Sequence, residues 1–279
     1  MEVIKTKNQL TNHIEPLREQ GLSIGFVPTM GALHRGHTDL MKTAKSENRV
    51  VVVSIFVNPT QFNNPNDLRN YPRTLEQDLV KCKEVGVDFV FVPEVEEMYP
   101  TPDDRVFNFG NLDKVMEGKF RPGHFNGVAQ VVSKLFNAVN PHNAYFGQKD
   151  FQQLAIIRQM VKDLSYNIEI VGCPTYREAD GLAMSSRNTL LNAQQRSSAP
   201  LIHKTLFEAR NKASQLNVEQ TIKWVVNIIN KDPELEVEYF EIANSETLQP
   251  IENWSDANSV VGCIAVQVGQ VRLIDNILF

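Results

Sequence analysis

The chain has 279 residues, of which 42% are hydrophobic, and its formal net charge at pH 7 is -5. This length allows one large or two modest domains with an ample core. The negative charge and the absence of a block rich in lysine and arginine argue against a nucleic-acid partner, because several basic residues would be needed to neutralise its phosphates.

The N-terminal residues show no apolar targeting region, and the longest strongly apolar run, 50–57, is too short to span a bilayer. We therefore expect a cytoplasmic protein with no membrane partner. The cysteines Cys82, Cys173 and Cys263 are isolated from one another, which indicates reduced core thiols rather than a disulfide or metal framework.

Apolar runs alternate with helical patterns over the N-terminal part of the chain, which is typical of βαβ units and a parallel sheet. The predicted strands there cover 22–27, 50–57, 88–92, 144–146 and 168–171. The predicted helices cover 37–48, 74–85, 128–139 and 150–164.

The pattern changes after a loop over 177–188. Two amphipathic helices, over 193–213 and 218–229, are followed by strands over 237–242, 260–268 and 270–274. The Val268-Gly269-Gln270 turn indicates that the last two strands pair antiparallel. We predict an α/β fold with a Rossmann-like parallel sheet in an N-terminal domain, 1–175, and a smaller α+β C-terminal domain, 176–279.

The most informative motif is the pair His34 and His37, where the strand over 22–27 passes through two glycines into a helix. Free backbone N–H groups at a helix entry bind phosphate, and two imidazoles would add to them. Such a site would stabilise negative charge growing on an α-phosphate. Zinc binding and a purely structural role are the alternatives, although no cysteine cluster or glutamate at ligand spacing accompanies the pair.

A second candidate group follows the strand over 50–57, where a long loop through Arg73 begins with Asn58 and Gln61. Loops longer than a connection requires often bind ligands. The Gln61 amide can donate to and accept from a hydroxyl or carboxylate. Alternatively, both side chains only satisfy the backbone of the loop.

A third group follows the strand over 144–146. Gly147 permits close backbone approach, Lys149 supplies a charge for a phosphate, and Asp150 can accept from ribose hydroxyls. Gln153 lies one turn further on, on the helix face of Lys149. An ordinary capped surface helix is the alternative.

A fourth group lies in the loop over 180–188, where Ser185, Ser186 and Arg187 form a natural clamp for β- and γ-phosphates. The four groups together favour ATP.

Two further features keep both a functional and a structural interpretation. Arg121 and His124 either reach a substrate carboxylate or phosphate or shape the entrance. Asp78 is either an outer-sphere partner for magnesium or part of a solvated helix face.

The stretches 28–37, 57–62, 121–125 and 180–188 together resemble the pantothenate synthetase family, the pantoate-β-alanine ligases. These nucleotidyltransferases share HIGH and KMSKS-type motifs with class I aminoacyl-tRNA synthetases. The resemblance covers nearly the whole chain. It implies that pantoate and ATP form pantoyl adenylate and pyrophosphate, and that β-alanine then displaces AMP to give pantothenate. It also implies magnesium dependence and a cytoplasmic homodimer.

The resemblance further implies roles for individual residues. His37 would be the proton donor, with His34 and Lys149 also catalytic. Gln61 and Gln153 would hold pantoate, with Gln61 also contacting β-alanine, and the C-terminal domain would close over the ATP site. The implied ATP-binding residues are Met30, Gly31, Ala32, Leu33, His34, Arg35, Gly36, His37, Gly147, Gln148, Lys149, Asp150, Tyr176, Met184, Ser185, Ser186 and Arg187.

The chain departs from the family at Tyr176, where a smaller apolar residue is usual; a backbone contact to adenine is still expected there.

Three other functions stay open. Another adenylyl- or cytidylyltransferase would transfer its nucleotide to a phosphate substrate and have no use for an amine. A class I aminoacyl-tRNA synthetase would need a tRNA-binding appendage, for which neither length nor charge leaves room. A non-enzymatic nucleotide-binding module would bind ATP without releasing pyrophosphate.

Overall fold

A computed structural model describes every residue from Met1 to Phe279. The chain forms two compact units. The first comprises residues 1–109, 121–148 and 156–174, and the second comprises 110–120, 149–155 and 175–279. No helix combines the length and the apolar character needed to cross a membrane.

The strands are β1 (Glu2–Ile4), β2 (Ile24–Thr29), β3 (Val50–Ile55), β4 (Phe89–Phe91), β5 (Asn143–Gly147), β6 (Glu169–Cys173), β7 (Leu235–Asn244), β8 (Val260–Val268) and β9 (Val271–Leu278). The helices are α1 (Lys7–Glu19), α2 (Arg35–Glu47), α3 (Pro65–Asn70), α4 (Leu75–Val85), α5 (Val95–Met98), α6 (Met116–Phe120), α7 (His124–Val139), α8 (Phe151–Asp163), α9 (Ala193–Ser198), α10 (Leu201–Lys212) and α11 (Val218–Ile229). Short 3-10 turns cover Pro59–Gln61, Gln148–Asp150, Ser186–Leu190 and Trp254–Asp256.

The first unit is built on a six-stranded sheet in the order β1-β4-β3-β2-β5-β6. All of its strand pairs are parallel, which confirms the predicted Rossmann-like sheet. Strands β3 and β4 lie on one side of β2, and the later strands β5 and β6 lie on its other side. The direction in which the chain adds strands therefore reverses between β2 and β5. Ligands of open α/β sheets bind beyond the carboxyl ends of the strands at such a switch point. The histidine pair follows β2, so it lies at this place.

Helices cover both faces of the parallel sheet. Val27 of β2 packs into a buried cluster with Met41 of α2 and Cys82 of α4. The preceding residue, Phe26, points to the other face because side chains alternate along a strand. Its ring meets the Phe136 ring of α7 edge-on at 6.3 Å between centroids. This two-sided burial explains why β2 and β3 are nearly continuous apolar runs in the sequence.

The second unit is built on the antiparallel sheet β7-β8-β9, which confirms the predicted pairing and the α+β character of this part. One face, which includes Ile264, packs with residues of α10 and α11. The opposite face, which includes Cys263, packs with Met116 and Phe151 from the two short segments of this unit. The segments 110–120 and 149–155 therefore complete the core of the antiparallel sheet.

All three cysteines of the chain are buried and free, as predicted.

The predicted helix over 193–213 is wrong in one respect. The structure has two helices there, since α9 ends at Ser198 and α10 begins at Leu201. Pro200 lies between them, and a proline has no N–H for a helical hydrogen bond. The elements β1, α1, α3, α5 and α6 were not predicted from the sequence. Apart from α1, which contains Pro16, these elements have only three to six residues, too few for a clear periodicity.

A partly buried ion cluster links α6 to the antiparallel sheet. The Arg272 guanidinium donates to Glu117 over 2.6 and 2.8 Å and to Glu238 over 2.5 and 2.9 Å. The Tyr239 hydroxyl donates to Glu117 over 2.9 Å. Burial alone would lower the pKa of Arg272, but the bonds to Glu117 and Glu238 outweigh it and raise that pKa. Glu117 and Glu238 thus share one cation inside the unit.

Replacing Arg272 by methionine should leave Glu117 and Glu238 without their cation. We expect Arg272→Met to lower the free energy of unfolding by up to about 3 kcal/mol, because the buried Glu117 carboxylate would lose its cation. Urea denaturation at neutral pH measures the change. Lys223→Met is the matched control, because Lys223 pairs with Glu219 on the surface, and it should leave the unfolding curve unchanged. Equal curves for the two variants would contradict a stabilising role for the cluster.

Candidate active site

The site is organised around the residues 30–37, called here the histidine turn, which connect β2 to α2. Gly31 and Ala32 adopt φ values of 79° and 47°, in the left-handed region. Such a conformation is unfavourable for Ala32, which carries a Cβ. The helix α2 begins at Arg35, two residues before the predicted start, and His34 is its N-cap residue.

Protein acceptors occupy four consecutive backbone N–H groups of the histidine turn. The Gly31 N–H donates to Thr29 Oγ1 over 3.2 Å, and the N–H groups of Ala32 and Leu33 donate to Asp78 over 2.9 and 2.7 Å. The His34 N–H donates to His37 Nδ1 over 3.2 Å. Three of these groups precede the N-cap residue His34, so the expectation that backbone donors of the first turn of α2 bind phosphate stays a prediction.

Asp78 lies on α4 and has no exposed surface. Its Oδ2 accepts from Ala32, and its Oδ1 accepts from Leu33 and, over 3.2 Å, from the Thr74 hydroxyl. The interpretation of Asp78 as part of a solvated helix face is therefore wrong. A signal was available in the sequence, since Asp78 lies one turn before Cys82 on the apolar side of α4, and a carboxylate in such a position needs hydrogen-bond donors.

The two imidazoles lie against each other. Their ring centroids are 4.0 Å apart and their planes are inclined by 37°. Because His37 Nδ1 accepts a backbone N–H, the neutral His37 ring carries its proton on Nε2. No group of three histidine, cysteine or acidic side chains is placed to share a metal ion, so the zinc alternative gains no support.

The side-chain amide of Gln61 is held from both ends. Its Nε2 donates to the sulfur of Met30 over 3.1 Å, and its Oε1 accepts from Asn58 Nδ2 over 3.1 Å. Asn58 is buried and in turn accepts from the Tyr99 hydroxyl over 2.8 Å. Burial raises the pKa of Tyr99, which keeps this hydroxyl a proton donor. The structure thus brings together two residues that the sequence analysis selected from separate motifs, Met30 and Gln61.

Arg121 and His124 hold the main chain of Gln61. His124 is buried, and its Nδ1 donates to the Gln61 carbonyl oxygen over 2.8 Å. Its Nε2 then accepts from Arg121 over 3.1 Å. Gly127 allows this approach, because a Cβ there would lie 2.4 Å from the carbonyl oxygen of Thr60. Arg121 and His124 therefore position the main chain of Gln61, a contact that the sequence did not reveal.

Gly147 ends β5, and β5 is the neighbour of β2 in the parallel sheet. The next residue, Gln148, donates from its side chain to the Gly172 carbonyl over 3.4 Å. Within the first unit, Gly147 and Gln148 thus leave the sheet at the same edge as the histidine turn.

Lys149, Asp150 and Gln153 belong to the second unit. The Lys149 ammonium lies 3.2 Å from the Asp150 carboxylate, in the 3-10 turn before α8. The Lys149 carbonyl accepts from Asn276 of β9 over 3.0 Å. Gln153 follows in the first turn of α8.

The loop that carries Met184 to Arg187 folds back on itself. The Met184 N–H donates to the Tyr176 carbonyl over 2.9 Å, and residues 177 and 183 form an antiparallel bridge. The Ser185 hydroxyl accepts from the Arg187 N–H over 3.3 Å and caps the 3-10 turn Ser186–Leu190. Ser185 therefore has a local structural contact beside its expected role at phosphate.

Two acidic residues of this loop share one arginine that was not among the predicted site residues. Arg196 of α9 donates to Asp180 over 2.6 Å and to Glu178 over 2.7 Å. The bond from Arg196 lowers the pKa of Asp180. The sequence carries only a weak signal for this contact, since a single arginine in a polar helix is common.

Comparison with known proteins gives one result over the whole chain. A family model described as pantoate-beta-alanine ligase matches residues 2–278. The pantothenate synthetases of Bacteroides fragilis (strain YCH46) and Bacteroides thetaiotaomicron are 56% and 57% identical over 279 residues, which is 100% of this chain and 99% of each relative.

Solved structures of similar proteins point to the same family. Pantothenate synthetase from Thermus thermophilus superposes with a TM-score of 0.93 at 44% identity, covering 99% of both chains. A pantoate-beta-alanine ligase from Francisella tularensis, complexed with beta-gamma ATP and beta-alanine, has a TM-score of 0.85 at 40% identity and covers 100% of this chain and 97% of its own. These matches confirm the resemblance seen in the motifs. The chain belongs to the pantoate-β-alanine ligase family.

Proposed function

We propose that this chain ligates pantoate and β-alanine to pantothenate, using ATP and releasing AMP and pyrophosphate. The observation that carries this proposal is the histidine turn at the switch point of the parallel sheet, in a chain that matches the ligase family from residue 2 to 278. The Francisella relative complexed with ATP and β-alanine supports the same two substrates.

The reaction proceeds in two displacements. A carboxylate oxygen of pantoate attacks the α-phosphorus of ATP, the bond from that phosphorus to the bridging oxygen breaks, and pyrophosphate leaves. The product is pantoyl adenylate, a mixed anhydride. The amine of β-alanine then attacks its acyl carbon, the carbon–oxygen bond to AMP breaks, and the amine loses a proton. Neither step needs a protein nucleophile, so the protein positions the reactants and stabilises charge.

His37 is the proposed donor to the reacting phosphate. Its Nδ1 accepts the His34 N–H, so Nε2–H is the donor that the neutral ring would present to a phosphate oxygen. This bond strengthens as negative charge builds at phosphorus, which is the condition for catalysis by a preorganised donor. His34, whose ring lies against that of His37, is the second catalytic imidazole of the proposal.

Gln61 and Gln153 are the proposed pantoate contacts, and Gln61 also contacts β-alanine. The orientation of the Gln61 amide by Met30 and Asn58 supports this role. A fixed amide offers both a donor and an acceptor, which suits a hydroxy acid.

The proposed ATP contacts come from several segments. The histidine turn, Gly147, Gln148, Lys149 and the residues 184–187 contact phosphates, Asp150 the ribose, and Tyr176 the adenine through its backbone. Closure of the C-terminal domain over bound ATP stays a prediction.

Magnesium enters with ATP in this proposal. No cluster of side chains forms a metal site of its own, and both oxygens of Asp78 already accept protein hydrogen bonds. The residues present therefore fit magnesium held mainly by phosphate oxygens and water, as is common for this ion. A homodimer and a cytoplasmic location belong to the same proposal and are supported by the family.

Pantoate-dependent exchange of labelled pyrophosphate into ATP, with magnesium present and β-alanine absent, isolates the first displacement. We expect exchange only when pantoate is added. ATP binding without exchange would contradict the proposed adenylate route. If exchange occurs, release of AMP on adding β-alanine identifies the amine acceptor and excludes transfer to a phosphate substrate.

Removal of the His37 imidazole should slow exchange without unfolding the protein. We expect His37→Ala to reduce the rate by roughly 10²- to 10³-fold, the usual loss for one preorganised transition-state donor. His13→Ala is the control, because His13 lies on α1 and pairs with Glu2. Exchange by His37→Ala at the control's rate would remove His37 from the mechanism.

Lys149 is expected to act on ATP in both binding and reaction. Lys149→Ala should raise the dissociation constant of ATP and lower the exchange rate, because a cation close to the phosphates is lost. Calorimetric titration gives the first quantity and exchange the second. Lys162→Ala, in the last turn of α8, should change neither. Unchanged affinity and rate in Lys149→Ala would leave this lysine with only the contact to Asp150.

A further inference from the structure

We propose that Asp78 is a positioning residue for the adenylation step, which acts by fixing the backbone of the histidine turn rather than by contacting substrate or magnesium. The inference rests on the proposed function, because it assigns Asp78 to the step in which His37 takes part.

Asp78 holds two successive peptide groups of the histidine turn with one carboxylate. Oδ2 accepts the Ala32 N–H over 2.9 Å and Oδ1 accepts the Leu33 N–H over 2.7 Å. The next residue is His34, whose own N–H donates to His37. The two bonds therefore determine where the chain enters the segment that carries both imidazoles.

The neighbouring turn of α4 holds the same segment from its carbonyl side. The Lys81 ammonium donates to the Leu33 carbonyl oxygen. Leu33 is thus bound through its N–H by Asp78 and through its C=O by Lys81, while its side chain is buried. The turn also lies close against Asp78, since a Cβ on Gly31 would be 3.1 Å from Oδ2.

A carboxylate is suited to this place for a specific reason. Ala32 adopts a positive φ, so its N–H and that of Leu33 point to the same acceptor group, and both need one. The two oxygens of a carboxylate accept both, whereas an amide offers one oxygen and one NH₂ group that would face an N–H donor. The negative charge lies in the first turn of α4, where the helix dipole stabilises it.

Two properties separate this role from its alternatives. A magnesium ligand would need a carboxylate oxygen open to the ion, but Asp78 is fully buried and each of its oxygens already accepts a hydrogen bond. A purely structural residue would stabilise the fold without a special link to His37. The experiment therefore measures the coupling between Asp78 and His37.

The test compares Asp78→Asn, His37→Ala and the double variant in the pantoate-dependent exchange assay, with circular dichroism as the check on folding. We expect Asp78→Asn to lower the maximal exchange rate roughly 10- to 100-fold, because small displacements of a catalytic group are costly, and to leave the KM for pantoate nearly unchanged. In the His37→Ala background the same change should cost less than about threefold, because residues that act through one another are not additive.

Glu76→Gln, an exposed change in the same turn of α4, is the control and should match the wild type. Lys81→Met provides a second route, since it detaches Leu33 from the carbonyl side. It should show a smaller rate loss that also disappears in the His37→Ala background, and it decides the question if Asp78→Asn does not fold. Additive losses would overturn the proposal, as would a rate loss in Asp78→Asn that excess magnesium restores. Absence of exchange in the wild type would instead refute the proposed function, so the two failures are distinguishable.

Discussion

The need to satisfy four consecutive backbone N–H groups determines how the first unit is built around its site. The histidine turn leaves β2 with a left-handed glycine and alanine, and this geometry turns its N–H groups toward the protein. An unpaired buried N–H costs about 1–3 kcal/mol, so each group needs an acceptor in place. Strand β2 supplies Thr29, α4 supplies Asp78, and α2 supplies His37. The turn is therefore fixed by three different elements before any substrate arrives.

Because these backbone N–H groups bind protein acceptors, stabilisation of phosphate charge in the proposed reaction falls mainly to side chains. A phosphate loop usually offers its backbone donors to the ligand, but here the donors of residues 31–34 serve the turn itself. The hydrogen bond from His34 to His37 also removes Nδ1 as a donor, which leaves the ring proton on Nε2. One backbone contact thus fixes both the orientation and the tautomer of the imidazole. The chemistry proposed for the site depends on side chains whose geometry the backbone has already set.

The sequence predicted the features that depend on local pattern. Strand β8 and helix α11 begin and end where the periodicity indicated, and the parallel and antiparallel sheets were both expected. The contacts that could not be predicted join distant positions. Asp78 accepts from a residue 46 positions away, and His124 donates to one 63 positions away. Their partners are backbone groups, which leave no mark on the sequence, because every residue except proline carries the same N–H and C=O.

The loop over 177–188 shows how a segment proposed to meet polyphosphate can still contain acids. Asp180 accepts the Leu182 N–H over 3.2 Å, and Glu178 accepts the Asn188 amide over 2.9 Å, so both carboxylates shape the loop. Two carboxylates in the loop that carries Ser185 and Arg187 would repel a phosphate chain bound there if nothing offset their charge. Arg196 forms an ion pair with each of them, which offsets part of their charge and leaves their hydrogen bonds to the loop intact. The shape of this loop and the balance of its charge are thereby set by different residues.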